Sequence, residues 1–189
     1  MDKNFERKLL NYLYYDLNRL WYFVRDEIFE YDIQSSIHQF LTLRFNNNRN
    51  VLVHREKAGK VDHVIQENDE NGKAKHSTLI ELKSFIKKHE RLVLSKVEGD
   101  IGKLYDKRGE NIDLYLIIAI KENHFNSTNS TLGKFIDALT KKNTYNFNIR
   151  SKIIRTRIIR SLKTSYVKND KTIVHKEQIR LFMFQIKKK

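Results

Sequence analysis

The sequence contains no cysteine and no proline, and only six of its 189 residues are glycine. Without cysteine the chain can form no disulfide, provide no thiol nucleophile and hold no zinc ion or iron–sulfur cluster through thiolates. Any metal ion must therefore be bound by carboxylates, histidine, carbonyl oxygens or water. The sequence also lacks an apolar stretch of the ~18 to 20 residues that a membrane span needs, and it begins with a charged, amphipathic segment. We therefore expect a cytoplasmic protein with no membrane partner.

Negative charge is scarce: 37 Lys and Arg residues against 23 Asp and Glu give a net charge of +14. A small protein with this charge attracts polyanions and associates with them quickly, so nucleic acid is the expected partner. The alternative is a solvated basic surface that follows from the nucleotide composition of the gene, which would also explain the abundant Lys, Asn and Ile. The positions of the basic residues must decide between the two.

Hydrophobic periodicity predicts one α/β domain with a mixed central β-sheet flanked by helices and an N-terminal helical segment. Apolar residues three or four positions apart predict helices over residues 4–29, 33–44 and 97–105, and a shorter one over 132–141. Patterns with a period of about two predict strands over 51–55, 61–67 and 78–85, and a late strand over 179–186. Residues 113–120 are apolar without alternation, which predicts a central strand that is covered on both faces.

A β-hairpin is predicted around Asn71-Gly72, because this pair favours a two-residue type I′ turn. In that register paired residues have numbers that sum to 143, so Asp62 lies opposite Glu81, and Lys83 points to the same face. The other face would take Val61, Ile65, Ile80 and Leu82. A bulge in either arm would shift the register by one residue and send Asp62 to the other side.

Two adjacent carboxylates do not both stay ionised without a nearby cation, and a divalent metal ion meets this need. Oxygen ligands suit Mg²⁺, with Mn²⁺ as a substitute, and the main-chain carbonyl of Leu82 would add a further ligand. Lys83 would orient a metal-activated water or stabilise charge during attack on a phosphodiester. The alternative is that Asp62, Glu81 and Lys83 are ordinary exposed charges.

Residues 59–65, Gly-Lys-Val-Asp-His-Val-Ile, and 78–83, Thr-Leu-Ile-Glu-Leu-Lys, resemble the core motif of the PD-(D/E)xK, or restriction-endonuclease-like, nuclease superfamily. The resemblance implies that Asp62 and Glu81 bind Mg²⁺ and that Lys83 assists the nucleophilic water. Residues 29–38 resemble the first core helix of that family, which makes Glu30 the candidate for an additional acid. The alternative for Glu30 is a charge favoured by the helix dipole. Val61 stands where the family often has Pro.

The resemblance implies a restriction-endonuclease-like core over residues 30–120, between an N-terminal helical segment over 1–29 and a basic part over 121–189. The function it implies is that of a Mg²⁺-dependent endonuclease of the restriction or antiviral-defence type, acting on DNA in preference to RNA. Such enzymes commonly form homodimers. The alternative is a non-catalytic, basic nucleic-acid-binding protein with a degenerate nuclease-like core.

A second basic feature follows the core, where cations alternate with Ile and Leu between residues 149 and 162. The pattern fits a basic helix or a strand, and either would bury the apolar members and direct the cations at phosphates. A merely solvated basic face is the alternative. The residues expected to bind nucleic acid are Arg150, Lys152, Arg155, Arg157, Arg160 and Lys163.

Overall fold

A computed structural model describes residues 4–23, 30–55, 61–85, 94–121, 145–160 and 173–188. In chain order these residues form helices α1 (Phe5–Phe23) and α2 (Glu30–Phe45), strands β1 (Val51–Arg55), β2 (His63–Asn68) and β3 (Ala74–Phe85), helix α3 (Leu94–Asp106), and strands β4 (Ile112–Lys121), β5 (Tyr145–Arg160) and β6 (Ile173–Lys188). The mixed α/β character predicted from the sequence is confirmed. None of the described helices is both long and apolar enough to cross a bilayer.

The six strands form one mixed sheet in the order β1-β2-β3-β4-β6-β5. Strands β3 and β4 are parallel, and the other neighbours are antiparallel. Residues 114–120 of β4 are all buried, so the prediction of a strand covered on both faces is confirmed. The segment that fitted either a helix or a strand forms β5, which lies at the edge of the sheet. The helix predicted over 132–141 lies outside the described residues.

Apolar side chains cover both faces of the sheet. The side chains of one face, which include Ile80 and Leu82 of β3, pack against α1 and α2. The side chains of the other face, which include Leu79, pack against α3. Ile65 lies on the first face as predicted, but Val61 belongs to the α3 side. The prediction for Val61 was wrong because β2 begins only at His63, so the strand alternation does not govern the residues before it.

The hairpin turn differs from the predicted type I′ turn. Among the described residues only Gly72 has a positive φ, of 76°, whereas a type I′ turn also requires one at Asn71. The N–H of Gly72 bonds to the carbonyl of Asp69, and Asp69 Oδ1 accepts bonds from the N–H groups of Asn71 and Lys73. These bonds define a three-residue loop that ends with a left-handed glycine.

The register predicted for the hairpin is nevertheless confirmed over residues 63–67 of β2. The three-residue loop pairs Asn68 with Ala74, whose numbers sum to 142, but a bulge follows at once between Glu67 and Asn68. From Glu67 to His63 the partners again sum to 143, and His63 pairs with Ile80. The loop and the bulge shift the register in opposite directions, so their effects cancel and Asp62, just before β2, lies close to Glu81.

Gly72 and Gly99, which both stand in open surroundings, should respond to alanine in opposite ways. Gly72→Ala places a Cβ in the left-handed region and should lower the free energy of unfolding by about 1 kcal/mol. Gly99→Ala, at an exposed position of helix α3, should raise it by about 0.5 to 1 kcal/mol because alanine restricts the unfolded chain. Urea unfolding of both variants measures the difference. Equal effects of the two substitutions would contradict the turn described here.

Candidate active site

The candidate site begins where β2 stops pairing with β3. Strand β3 continues to Phe85, but its last partner in β2 lies opposite Ile80. Because N–H groups on one side of a strand recur at every second residue, those of Leu82 and Ser84 face the missing strand. Asp62 Oδ2 accepts the N–H of Leu82 at 2.7 Å, and Glu30 Oε2 accepts that of Ser84 at 3.1 Å. Two acidic side chains thus accept the hydrogen bonds that a longer β2 strand would otherwise accept.

Asp62 and Glu81 lie in direct contact, as the register predicts. Glu81 Oε2 accepts the backbone N–H of Asp62 at 3.2 Å, and Gln34 Nε2 donates to Asp62 Oδ1 at 2.8 Å. Asp62 is half-buried and Glu81 is buried. Asp62 is therefore held by groups from α2 and β3, and Glu81 is held by the backbone of Asp62. Neither is the freely solvated charge that the alternative interpretation requires.

Lys83 is bound to an acid that the sequence analysis did not single out. Its Nζ forms an ion pair with Asp100 Oδ2 at 2.9 Å, and Lys103 Nζ binds the other oxygen, Oδ1, at 3.0 Å. Asp100 lies on α3, with a side chain that is only 4% exposed. The sequence does indicate that Asp100 is buried, because it stands three residues after Val97 and four before Leu104, on the apolar face of the helix.

Electrostatics in the site disfavour ionised acids. Burial raises the pKa of Glu81 to about 7, with further contributions from the charges of Asp62 and Asp100. Burial also raises the pKa of Asp62, and the hydrogen bond from Leu82 opposes this effect only in part. The hydrogen bond to Asp100 and the charge of that acid raise the pKa of Lys103. A cation placed between Asp62 and Glu81 would relieve this repulsion.

The oxygen donors of the site suit a hard divalent ion. Asp62 and Glu81 offer carboxylates, and the carbonyl of Leu82 points toward the same side of β3 as the N–H that bonds to Asp62. Mg²⁺ typically takes one or two carboxylates and completes its shell with water and phosphate oxygens. In the part of the chain that the structure describes, no three His, Asp or Glu side chains are arranged to hold a metal ion by themselves. Any ion would therefore depend on main-chain, water or substrate oxygens as well.

One face of α2 borders the site. Glu30, Gln34 and His38 follow at intervals of four residues, and the His38 ring lies 5.9 Å from that of His63, centroid to centroid. His63 is fully buried, and burial followed by the influence of His38 lowers its pKa to about 4, so its ring is neutral at pH 7. Gln34 was not predicted as a site residue, although its position one turn after Glu30 places both residues on the same face of α2.

The residues predicted to bind nucleic acid are not on the strands and helices that carry the acids. Five of them, Arg150, Lys152, Arg155, Arg157 and Arg160, lie on β5, and Lys163 lies outside the described residues. Strand β5 is three positions away from β3 in the sheet, which corresponds to about 14 Å between their backbones. The backbone of the basic strand is therefore not adjacent to the strand that carries Glu81 and Lys83.

A comparison of the sequence with models of known protein families found no match, and a comparison with curated proteins also found none.

Glu81 should make the stability of the metal-free protein depend on pH. Its pKa is about 7 in the fold and near 4.5 when unfolded, so the unfolded chain releases the proton first as the pH rises. The contribution of Glu81 is therefore greatest below about pH 4.5 and is lost between pH 4.5 and 7. Relative to wild type, Glu81→Gln should be more stable at pH 8 than at pH 5, by up to about 3 kcal/mol. Urea unfolding in EDTA at both pH values measures this difference.

The control for that comparison is Glu67→Gln, at a half-buried position of β2 away from the site. The difference in stability between Glu67→Gln and the wild type should be the same at pH 5 and at pH 8. Equal pH dependence of the two variants would mean that Glu81 is not perturbed by the neighbouring acids.

The two ion pairs of Asp100 should differ in strength. The Lys83 side chain is 26% exposed and that of Lys103 is 56% exposed, so water weakens the second pair more. A double-mutant cycle with Lys83→Met and Asp100→Asn should give a coupling energy of about 1 to 2 kcal/mol. The cycle with Lys103→Met should give less than about 1 kcal/mol. The reverse order, measured by urea unfolding, would contradict the placement of Lys83.

Proposed function

We propose that the protein is a metal-dependent nuclease that hydrolyses phosphodiester bonds of DNA. The observation that carries this proposal is the contact between Asp62 and Glu81 at the end of the hairpin, with the raised pKa of Glu81 indicating a site that favours a cation. Lys83 is two residues from Glu81 and is fixed by Asp100 on the same side of the sheet. A structural pair of acids would not need a buried, repulsive arrangement of this kind.

In this proposal Asp62, Glu81 and the carbonyl of Leu82 hold the metal ion. A Mg²⁺ ion bound there would polarise the scissile phosphate and lower the pKa of water. Lys83 orients the attacking water or stabilises the negative charge that develops on the phosphate. Glu30 bonds to the backbone of Ser84, so its role is to fix the edge of β3 and thereby the position of the Leu82 carbonyl.

The order of the elements supports a restriction-endonuclease-like core. Helix α2, the three strands β1 to β3, helix α3 and strand β4 follow one another as the resemblance implies, and the motif residues lie on β3 and immediately before β2. We infer a role as an endonuclease of the restriction or antiviral-defence type, with Mn²⁺ able to replace Mg²⁺. The net charge of +14 and the basic residues of β5 support binding to the nucleic-acid backbone. A cytoplasmic homodimer is part of the same proposal.

Cleavage assays on the wild type and on three site variants test the proposal. Duplex DNA, single-stranded DNA and RNA are incubated with the protein in Mg²⁺, in Mn²⁺ and in EDTA, and the product ends are mapped. Asp62→Asn, Glu81→Gln and Lys83→Met should each lower the rate by at least about 100-fold, because each removes a group that acts on the reacting phosphate or its metal ion. Glu67→Gln should cleave like the wild type.

A second readout separates catalysis from folding. Mg²⁺ should raise the melting temperature of the wild type, because it binds the folded state only, and it should not do so for Glu81→Gln. Salt-sensitive association with DNA but no cleavage in either metal would favour the alternative, a non-catalytic nucleic-acid-binding protein. Cleavage that persists in EDTA would exclude the metal-dependent mechanism.

A further inference from the structure

Arg55 is an exposed cation that the fold holds next to the candidate site. Its Nη2 donates to Gln34 Oε1 at 2.9 Å, and its guanidinium carbon lies 4.7 Å from the ring centroid of Tyr31. An exposed arginine normally samples many rotamers, so two simultaneous contacts restrict it considerably. The guanidinium is thus preorganised although it faces solvent.

Gln34 connects this arginine to the acids. Its carbonyl oxygen accepts from Arg55 while its amide nitrogen donates to Asp62 Oδ1 at 2.8 Å, so both ends of one amide group are used. The chain of contacts keeps the guanidinium nitrogen less than about 9 Å from the Asp62 carboxylate. Arg55 is consequently placed at a fixed distance from the candidate metal ligands.

Arg55 also forms no ion pair with any of the described acidic residues. Two described cations lower the pKa of Asp62, namely Lys83 and Arg55. Lys83 is neutralised by Asp100, whereas no carboxylate among the described residues lies within ion-pair distance of Arg55. A planar guanidinium with free N–H donors suits the oxygens of a phosphate, to which it bonds in a bidentate manner.

We propose that Arg55 is the residue that binds a backbone phosphate of the nucleic-acid strand beside the bond on which Asp62 and Glu81 act. The inference rests on the proposed nuclease function, to which it adds a substrate-binding residue. Gln34 and Tyr31 act as positioning residues, the first by fixing the distance to Asp62 and the second by supporting the guanidinium plane. The ligand is a phosphodiester backbone, which requires no particular base sequence.

Binding in EDTA tests this inference without cleavage. The fluorescence anisotropy of labelled single-stranded and duplex oligonucleotides is measured with the wild type, Arg55→Met, Arg55→Lys and the control Arg49→Met. Arg49 is also exposed and lies beyond the other end of β1, a strand that is about 13 Å long. Arg55→Met should weaken binding about fivefold to tenfold and lower the slope of log K against log salt by about one.

The other variants define how Arg55 acts. Arg55→Lys keeps the charge but loses the planar guanidinium, which donates two hydrogen bonds at once and stacks on Tyr31. Its salt slope should therefore equal that of the wild type, and its affinity should lie between those of the wild type and Arg55→Met. Tyr31→Phe should bind like the wild type because the ring remains, whereas Tyr31→Ala should show part of the loss seen with Arg55→Met. Arg49→Met should change the affinity less than twofold. Equal effects of Arg55→Met and Arg49→Met would overturn the inference.

Cleavage measured on the same proteins separates the inference from the function on which it rests. Under the inference, Arg55→Met raises KM more than it lowers kcat, because the contact exists before the reaction begins. If the wild type cleaves DNA but Arg55 and Arg49 are equivalent, the nuclease function stands and the role of Arg55 is wrong. If Arg55→Met weakens binding but the wild type cleaves nothing, phosphate binding stands and the hydrolytic function is wrong.

Discussion

The candidate site depends on a mismatch in length between two paired strands. Strand β3 extends five residues beyond the last pair that it makes with β2, and its N–H groups must find other partners because buried backbone donors are almost always bonded. Asp62 and Glu30 provide those partners. The need to satisfy the backbone therefore draws acidic side chains to a single edge of β3, beside Glu81. A continuous β2 strand would leave no room for them.

This arrangement has an energetic cost that the surrounding fold must offset. Glu81 is buried beside Asp62 and near Asp100. Its pKa is raised because ionising the carboxyl group there costs more free energy than in water. Ile80 and Leu82, its neighbours in β3, belong to the core, and the burial of Glu81 reduces the screening of its charge by water. Sites that are locally unfavourable within an otherwise consistent fold are commonly functional. A divalent ion would convert the repulsion between the two acids into shared coordination.

Much of this geometry could be predicted from sequence, and the reasons for the failures are physical. The fold class and the buried strand β4 follow from hydrophobic periodicity, which reports burial directly. The register that places Asp62 near Glu81 was predicted from a type I′ turn that does not form, and it held because a bulge compensates for the longer loop. Such compensation depends on local backbone geometry, for which the Asn-Gly pair alone gives no information.

Residues that join the site from separate elements were the hardest to predict. Asp100 and Gln34 meet the hairpin only through tertiary packing, so their distance in sequence conceals the contact. The pattern of β5 was ambiguous because alternating Ile and basic residues fit a strand and a helix almost equally. Spacing did carry partial information, since Asp100 interrupts the apolar face of α3 and Gln34 follows Glu30 by one turn.

The pairing of Lys83 with Asp100 explains how a lysine can stand beside two acids without neutralising them. If its ammonium group bonded to Glu81 or Asp62, that carboxylate would lose much of its attraction for a metal ion. Asp100 instead forms an ion pair with Lys83 through Oδ2 and with Lys103 through Oδ1, which keeps these charges on the α3 side. The negative potential at Asp62 and Glu81 is thereby preserved, while Lys83 stays close enough to act on a phosphate. In the proposed function, Asp100 would thus keep the opposite charges of one small site from pairing with each other before a metal ion and a polyanion bind.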